Sequence, residues 1–258
     1  MLADELIELH GAPREIAPFS ERYPGLTADQ GYAAARALHA DRLARGWQPL
    51  GRKIGFTNRT IWPRYGVHQP IWGRVYDRTL QFAQKNSALV PLKGLVQPRI
   101  EPEICFKLRA RPRGPEPRAL LDAIEWIAHS VEIVQCHHPA WQVKLADCTA
   151  DNGLHGRLVI GETFPLTQKL ADALPGAQVA LMKEGRVVDR GVGANVLDGP
   201  LQALGYLVGL LAGEDEELRP GEIVSTGTLT DAYPVAAGES WSSEFSGVAL
   251  PGLNVRFT

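Results

Sequence analysis

Ile100-Glu101-Pro102-Glu103-Ile104-Cys105-Phe106-Lys107-Leu108 is the stretch on which the reading of this chain turns. Taken with a period of two, Ile100, Ile104, Phe106 and Leu108 fall on one face of a strand, and Glu101 and Glu103 share the other. Two carboxylates pointing the same way repel each other, so a cation belongs between them unless that face is simply wet. Carboxylate oxygens suit magnesium, manganese or calcium better than zinc. By itself the Glu-x-Glu spacing fits an acidic pair on the solvent face of an antiparallel strand better, because short motifs recur by chance. The rest of the chain has to decide.

At 258 residues the chain is longer than a typical domain, yet within the range of one large β-rich unit. A hydrophobic share of 45% and a charged share of 22% describe an ordinary globular composition. The formal net charge of −2, with Lys and Arg spread along the chain, gives no basic field for nucleic acid. No segment approaches eighteen uninterrupted apolar residues, and Met1 to Leu6 is acidic rather than leader-like, so neither a membrane span nor secretion is expected. Cys105, Cys136 and Cys148 are odd in number and lack Cys-x-x-Cys spacing. They read as reduced thiols of a cytoplasmic protein.

Two helices are predicted early, over residues 2–10 and 28–45, the second announced by the capping-box spacing of Thr27 and Gln30. Residues 18–26 between them read as an irregular crossover. This helical segment, residues 1–47, is expected to pack on a β-rich core of residues 48–258. There, short apolar runs separated by Gly and Pro predict strands over 50–56, 71–76, 89–92, 100–108, 131–136, 158–164 and 178–182, with more within 223–257. Glu184-Gly185 reads as a hairpin turn. Helices are predicted over 118–128 and over 201–211, the latter opened by Pro200 and closed by Gly213. The pattern predicts an α+β fold around a curled or barrel-like β core. It carries neither Gly-x-Gly-x-x-Gly after a strand nor a phosphate-binding Gly-Lys-Ser/Thr loop.

Other residues carry chemistry. Lys53, in Gly51-Arg52-Lys53-Ile54-Gly55, can bind a substrate carboxylate or pass protons, or can be a solvated surface amine. Glu132 interrupts the apolar run Val131-Glu132-Ile133-Val134, which points to a carboxylate paired inside the protein. Beside Glu101 and Glu103 it supplies a third oxygen ligand and leaves three octahedral positions for water or a chelating substrate. His137 and His138 fall on opposite faces of a continuing strand and do not share a metal. The hydroxyls and N–H groups of Ser225 to Thr228 form either a polar turn or a cradle for an anion.

In order, Gly51 to Thr57, Gly66-Val67-His68-Gln69-Pro70 with Gly73 and Asp77, Ile100 to Ile104, Val131-Glu132-Ile133, Ala150-Asp151-Asn152 and Ser225 to Thr228 form a series over nearly the whole chain. The series resembles the fumarylacetoacetate hydrolase superfamily, and within it the 2-keto-4-pentenoate hydratase and 4-oxalocrotonate decarboxylase branch. The resemblance implies a mixed β-roll and a Mg2+ or Mn2+ ion held by Glu101, Glu103 and Glu132. It implies Lys53 and Asp77 as catalytic residues, Thr228 as the hydroxyl near the substrate carboxylate, and a small 2-oxo or 2-hydroxydienoic acid from aromatic catabolism as substrate. A homo-oligomer, associated with a partner enzyme of the same pathway, is implied too. Two segments depart from the branch: Gln135-Cys136-His137 stands where an Asp-Ser-Arg type run is usual, and Gly153-Leu154-His155 lacks the expected serine.

The expected activity is a hydratase converting a 2-hydroxy-2,4-dienoate to a 4-hydroxy-2-oxo acid. The alternatives, in order, are a decarboxylase of a 2-oxo-3-enedioate, an acylpyruvate-type hydrolase, and a non-catalytic partner subunit. The Asn-Tyr-x-x-His-x-x-Glu pattern of the hydrolases is absent after Lys53.

Overall fold

A computed structural model describes residues 1–59, 62–65 and 67–258, with the backbone alone at 64 and 65. Gly66, which opens the Gly-Val-x-x-Pro segment, lies outside the described residues. Helices α1 (Leu2–Gly11), α2 (Phe19–Arg22) and α3 (Ala28–Ala44) come first. Thr27 and Gln30 close the α3 capping box reciprocally, Gln30 N–H donating to Thr27 Oγ1 (3.2 Å) and Thr27 N–H to Gln30 Oε1 (3.0 Å). Strand β1 (Pro49–Gly55), helix α4 (Trp62–Tyr65) and strands β2 (Ile71–Tyr76), β3 (Leu80–Phe82), β4 (Ser87–Val90) and β5 (Arg99–Leu108) follow. Then come α5 (Pro117–Ala123), β6 (Ile124–Val134), α6 (Leu145–Ala150), β7 (His155–Phe164), α7 (Gln168–Ala173), β8 (Gln178–Lys183) and β9 (Arg186–Val192). The chain ends with α8 (Pro200–Ala212), β10 (Ile223–Ser225), β11 (Tyr233–Pro234), β12 (Ser240–Ser246) and β13 (Asn254–Phe257).

The strands form two mixed sheets. One runs β2-β1-β10-β5-β6-β7-β3 with β11 also on β5, and the other runs β4-β13-β12-β8-β9. The large sheet curls until its ends nearly meet. Val75 of β2 shares a buried cluster with Leu158 and Ile160 of β7, and the backbone of Arg74 is bonded to the Asn152 side chain just before β7. The inside of the curl therefore holds the alternate residues of β5 that include Glu101, Glu103 and Cys105. The outside is covered twice: Ile104, Phe106 and Leu108 pack with Leu204 and Leu207 of α8, while Ile100, Val131 and Ile133 pack against Trp241, Val255 and Phe257 of the second sheet. With both faces of β5 covered, an acidic pair lying open to solvent is excluded.

The N-terminal helices reach the core through α6. Leu6, Leu9, Phe19, Leu38 and Ala150 form one buried cluster, each large side chain contributing roughly 2 kcal/mol of burial. Gly31 permits the contact, since a Cβ there would lie 2.2 Å from Thr149 Oγ1.

Two predicted boundaries need correction. The helix predicted over 118–128 stops at Ala123, and Ile124, with φ −84° and ψ 131°, starts β6. Leu121, Ile124 and Ala128 satisfy a helical spacing, but β5 offers a full-length antiparallel partner from Leu108↔Ile124 to Arg99↔Val134. That pairing outweighs the local preference. The irregular stretch 18–26 contains the single turn α2, set by Pro18 and by Ser20, whose N–H and hydroxyl both donate to Asp147 (2.7 and 2.8 Å). The Glu184-Gly185 turn is confirmed, with φ of 48° and 72° joining β8 to β9.

Candidate metal centre

Antiparallel pairing sets the three carboxylates side by side. Glu101 of β5 lies opposite Glu132 of β6, and Glu103 opposite Ser130, so all three glutamates project from one face. One oxygen from each lies within 4.8 Å of the others. Glu103 and Glu132 are fully buried, and Glu101 is partly exposed into a cavity of about 340 Å³.

Each buried carboxylate commits one oxygen to the protein. Glu103 Oε2 accepts from the Ser225 hydroxyl and from the Gly227 N–H (3.0 Å). The Ser225 to Thr228 segment thus cradles an anion, and that anion is the protein's own. Gly227 reaches it with φ +99°, where a side chain would meet Thr57 Oγ1 at 2.0 Å. Glu132 Oε1 accepts from His155 Nδ1 (2.7 Å), whose Nε2 lies 2.9 Å from Thr79 Oγ1. Burial, and then the charge of Lys53, hold the His155 imidazole well below its usual range, so it is neutral and its one proton sits on Nδ1.

Of the other oxygens, Glu103 Oε1 is buried without a hydrogen-bond partner, and Glu132 Oε2 faces only the Lys53 ammonium. Burial first, then the neighbouring carboxylates, raises the pKa of Glu101 and Glu103 against the pull of Lys53. Three such groups do not all ionise unless positive charge joins them. Three hard oxygen donors, one of them without any partner, fit a hard divalent cation.

Lys53 occupies the adjoining position. Its Nζ lies 3.3 Å from Glu132 Oε2 and donates to the Gly153 carbonyl (3.1 Å). Burial alone would push the ammonium down, but Glu132, Glu101 and Glu103 outweigh it and hold the pKa above the ordinary lysine value. The Gly153 carbonyl is itself placed by β2: Asn152 bonds both N–H and C=O of Arg74 (2.8 and 2.9 Å), and a Cβ on Gly73 would strike Asn152 O at 2.0 Å.

Of the other predicted residues, Thr228 lines the cavity, its hydroxyl donating to Thr230 O (3.0 Å). Asp77 does not. It lies exposed beyond the far end of β2, where its carboxylate accepts from Gln48 N–H (2.9 Å). Gly73, level with Lys53, is three residues short of that strand end, about 10 Å away. The position after Pro70 that faces the cavity is instead Ile71. Sequence reasoning missed His155, Ser225 as a carboxylate partner, and the Asn152-Gly153 turn. A histidine at the head of an apolar run was the available signal for the first.

A second group of donors, His10, His137 and Asp151, also lies within 4.8 Å. Here Asp151 is bonded on both oxygens, to His10 Nε2 (2.8 Å) and His137 Nδ1 (2.7 Å), and Arg42 Nη2 donates to His10 Nδ1 (3.1 Å). An adjoining guanidinium and a fully engaged carboxylate make this an internal tie. His138, on the other side, packs edge-on to Phe19 at 5.0 Å.

No family model matches the chain. The 2-hydroxyhexa-2,4-dienoate hydratase of Comamonas testosteroni is 31% identical over 259 residues, covering 98% of this chain and 95% of its own. The chain belongs to the hydratase and decarboxylase branch of the fumarylacetoacetate hydrolase superfamily. Among solved structures, the 4-oxalocrotonate decarboxylase from Pseudomonas putida G7, complexed with magnesium and adipate, superposes with a TM-score of 0.91 at 27% identity, covering 100% and 96% of the two chains. Fumarylpyruvate hydrolase from Pseudomonas aeruginosa, at TM-score 0.58 and 15% identity over 80% and 88%, shares the fold alone. Members of this branch are metal-dependent lyases, and the α+β fold expected from the sequence is the one found.

Proposed function

We propose that this protein is a magnesium- or manganese-dependent hydratase of a short 2-hydroxy-2,4-dienoate. The observation that carries the reading is the triad of Glu101, Glu103 and Glu132, with the buried Glu103 Oε1 unpartnered, beside a buried lysine on the floor of a small cavity. A divalent cation bound there supplies a Lewis acid for the carboxylate and 2-oxygen of the substrate, and so an electron sink.

The chain's own residues do the rest. Ser225, Gly227 and His155 fix the carboxylates so that ligand geometry needs no rearrangement. In the reaction, ketonisation moves the 2-hydroxyl proton to C5, and water then adds across C3=C4, hydroxyl to C4 and hydrogen to C3. Lys53, held cationic against Glu132, is the group placed to deliver or hold a proton at the reacting carbons. Phe56, Ile71, Val134, Trp141 and Leu154 give the cavity an apolar lining for the carbon chain of the substrate.

A second reading, decarboxylation of a 2-oxo-3-enedioate, is favoured by one feature. Among the described residues the cavity's carboxylates are Glu101 and the exposed Asp231, so no dedicated base for water is evident beside Lys53. Decarboxylation needs only the electron sink and one proton returned to the carbon that loses carbon dioxide.

Turnover separates the two: loss of dienoate absorbance with formation of the hydroxy-oxo acid supports hydration, and carbon dioxide release from the enedioate supports decarboxylation. Either activity should fall ~100-fold or more in Lys53→Met while manganese binding is kept. A wild-type rate in that variant contradicts the role of Lys53.

The proposal extends to a cytoplasmic homo-oligomer. Among the described residues no helix is long and apolar enough to cross a membrane, and Phe82 and Leu89 are exposed apolar side chains available for self-association.

A further inference from the structure

Asn152, Gly153 and Leu154 have φ of 50°, 66° and 63°, three left-handed residues in a row. Single residues visit that region, but a run that includes a leucine persists only where its surroundings force it. From β2 the Asn152 side chain is held on the Arg74 backbone. The turn also closes on its neighbours, Leu154 N–H donating to Asp151 O (2.8 Å) and Gln135 N–H to Leu154 O (2.9 Å). It therefore hangs on Asp151, which caps the six-residue α6, a helix too brief to hold its own end.

What fixes Asp151 includes a side chain from outside the β core. His10, in the last turn of α1, places Nε2 2.8 Å from Asp151 Oδ1, with its side chain 8% exposed. Arg42 Nη2 of α3 donates to His10 Nδ1 (3.1 Å), so Nδ1 accepts and the ring proton sits on Nε2, aimed at Asp151. Arg42 is itself held over the rings of Trp47 and Tyr76, at 4.9 and 4.7 Å. The other oxygen takes His137 Nδ1, from a segment that the N-terminal region also anchors, Ile16 N–H donating to His137 O (2.8 Å). The N-terminal segment thus grips both sides of the residue from which the turn starts.

The turn ends at the chemistry. Gly153 O accepts from Lys53 Nζ (3.1 Å), whereas His155, just beyond the turn, is fixed separately by its pairing with Val134 across β6 and β7. A loosened turn releases the lysine while the carboxylates stay in place.

We propose that His10 is a positioning residue for turnover: by holding Asp151 it keeps the left-handed turn in the shape that presents the Gly153 carbonyl to Lys53. The helical segment ahead of the core then serves the reaction as well as the fold. This rests on the reading of Lys53 as the group that handles the proton.

The test compares three variants of α1, assayed with manganese and the dienoate at a temperature where each is folded. His10→Asn is too short to reach Asp151. His10→Gln offers an amide donor and acceptor spaced much as the imidazole nitrogens are. Leu9→Ala unpacks the same helix without removing the Asp151 donor. In His10→Asn a displaced lysine should lower kcat about tenfold, with KM and manganese affinity within about twofold of wild type. Amide exchange at Leu154 should quicken at least about tenfold there, while that of β5 and β6 holds. His10→Gln should recover both readouts to within about threefold, and Leu9→Ala should leave kcat unmoved although it melts earlier. A wild-type kcat in His10→Asn, no rescue by glutamine, or an equal kcat loss in Leu9→Ala overturns the inference and leaves the Lys53 reading standing. If His10→Asn does not fold, Arg42→Met, which frees the His10 ring, should show the same loss of kcat at unchanged KM, and wild-type values there overturn the inference. Wild type that turns over neither the dienoate nor the enedioate overturns the proposed function, and the claim on turnover with it.

Discussion

Glu132 shows how far a single residue can be read and where reading stops. A carboxylate in an apolar strand has to be paired, and it is, to His155 on one oxygen and beside Lys53 on the other. What the sequence cannot show is that its partners come from three separate elements, because cross-strand register is a tertiary outcome. Asp77 was misplaced for the same reason: proximity in sequence to Lys53's neighbouring strand carries no information about which end of that strand faces the cavity. Asp151 supplies a residue-scale prediction. It stands between His10 and His137, the second of which belongs to the segment that departs from the family's usual run. Burial would raise its carboxyl, but His137 and His10 outweigh that and hold it well below the usual range. A depressed acid contributes stability above its unfolded value near pH 4 and loses it as pH falls further. Asp151→Asn should therefore cost about 3 kcal/mol near neutral pH. The difference from wild type in urea midpoint should shrink below about pH 4; a difference independent of pH speaks against the tie. His137, raised by Asp151 against burial, adds stability that is present below about pH 6.5 and lost as pH rises through its folded value.

At the scale of elements, strands β2 and β5 and helices α1, α3 and α8 were legible because period, caps and glycines agreed. Helix α5 was overrun because Leu121, Ile124 and Ala128 satisfy the helical period, and only the long partner strand overrides it. The short α6 and β3 were invisible, being too brief to show a period. Yet α6 leads into the Asn152-Gly153 turn that presents the carbonyl to Lys53. Gly73 joins that turn to β2. Gly73→Ala should push the turn away, costing roughly 1–3 kcal/mol and depressing turnover while metal binding persists. A denaturant melt paired with manganese titration checks this, and an alanine variant of wild-type stability and rate contradicts the close approach.

The whole molecule works by curling one sheet until charged residues that are far apart along the chain face inward together. Helices and a second sheet cover the outer face, so the protein can bury Glu103, Glu132 and Lys53 while Glu101 opens to the cavity. That arrangement makes sense if a cation completes it. The central measurement is calorimetric titration of manganese into wild type and Glu103→Gln. Saturable uptake of one ion per chain by wild type is expected. In the variant, affinity should fall by more than the ~10–100-fold typical of losing a supporting group. Wild type that takes up no ion, or a variant that binds it unchanged, would contradict the account.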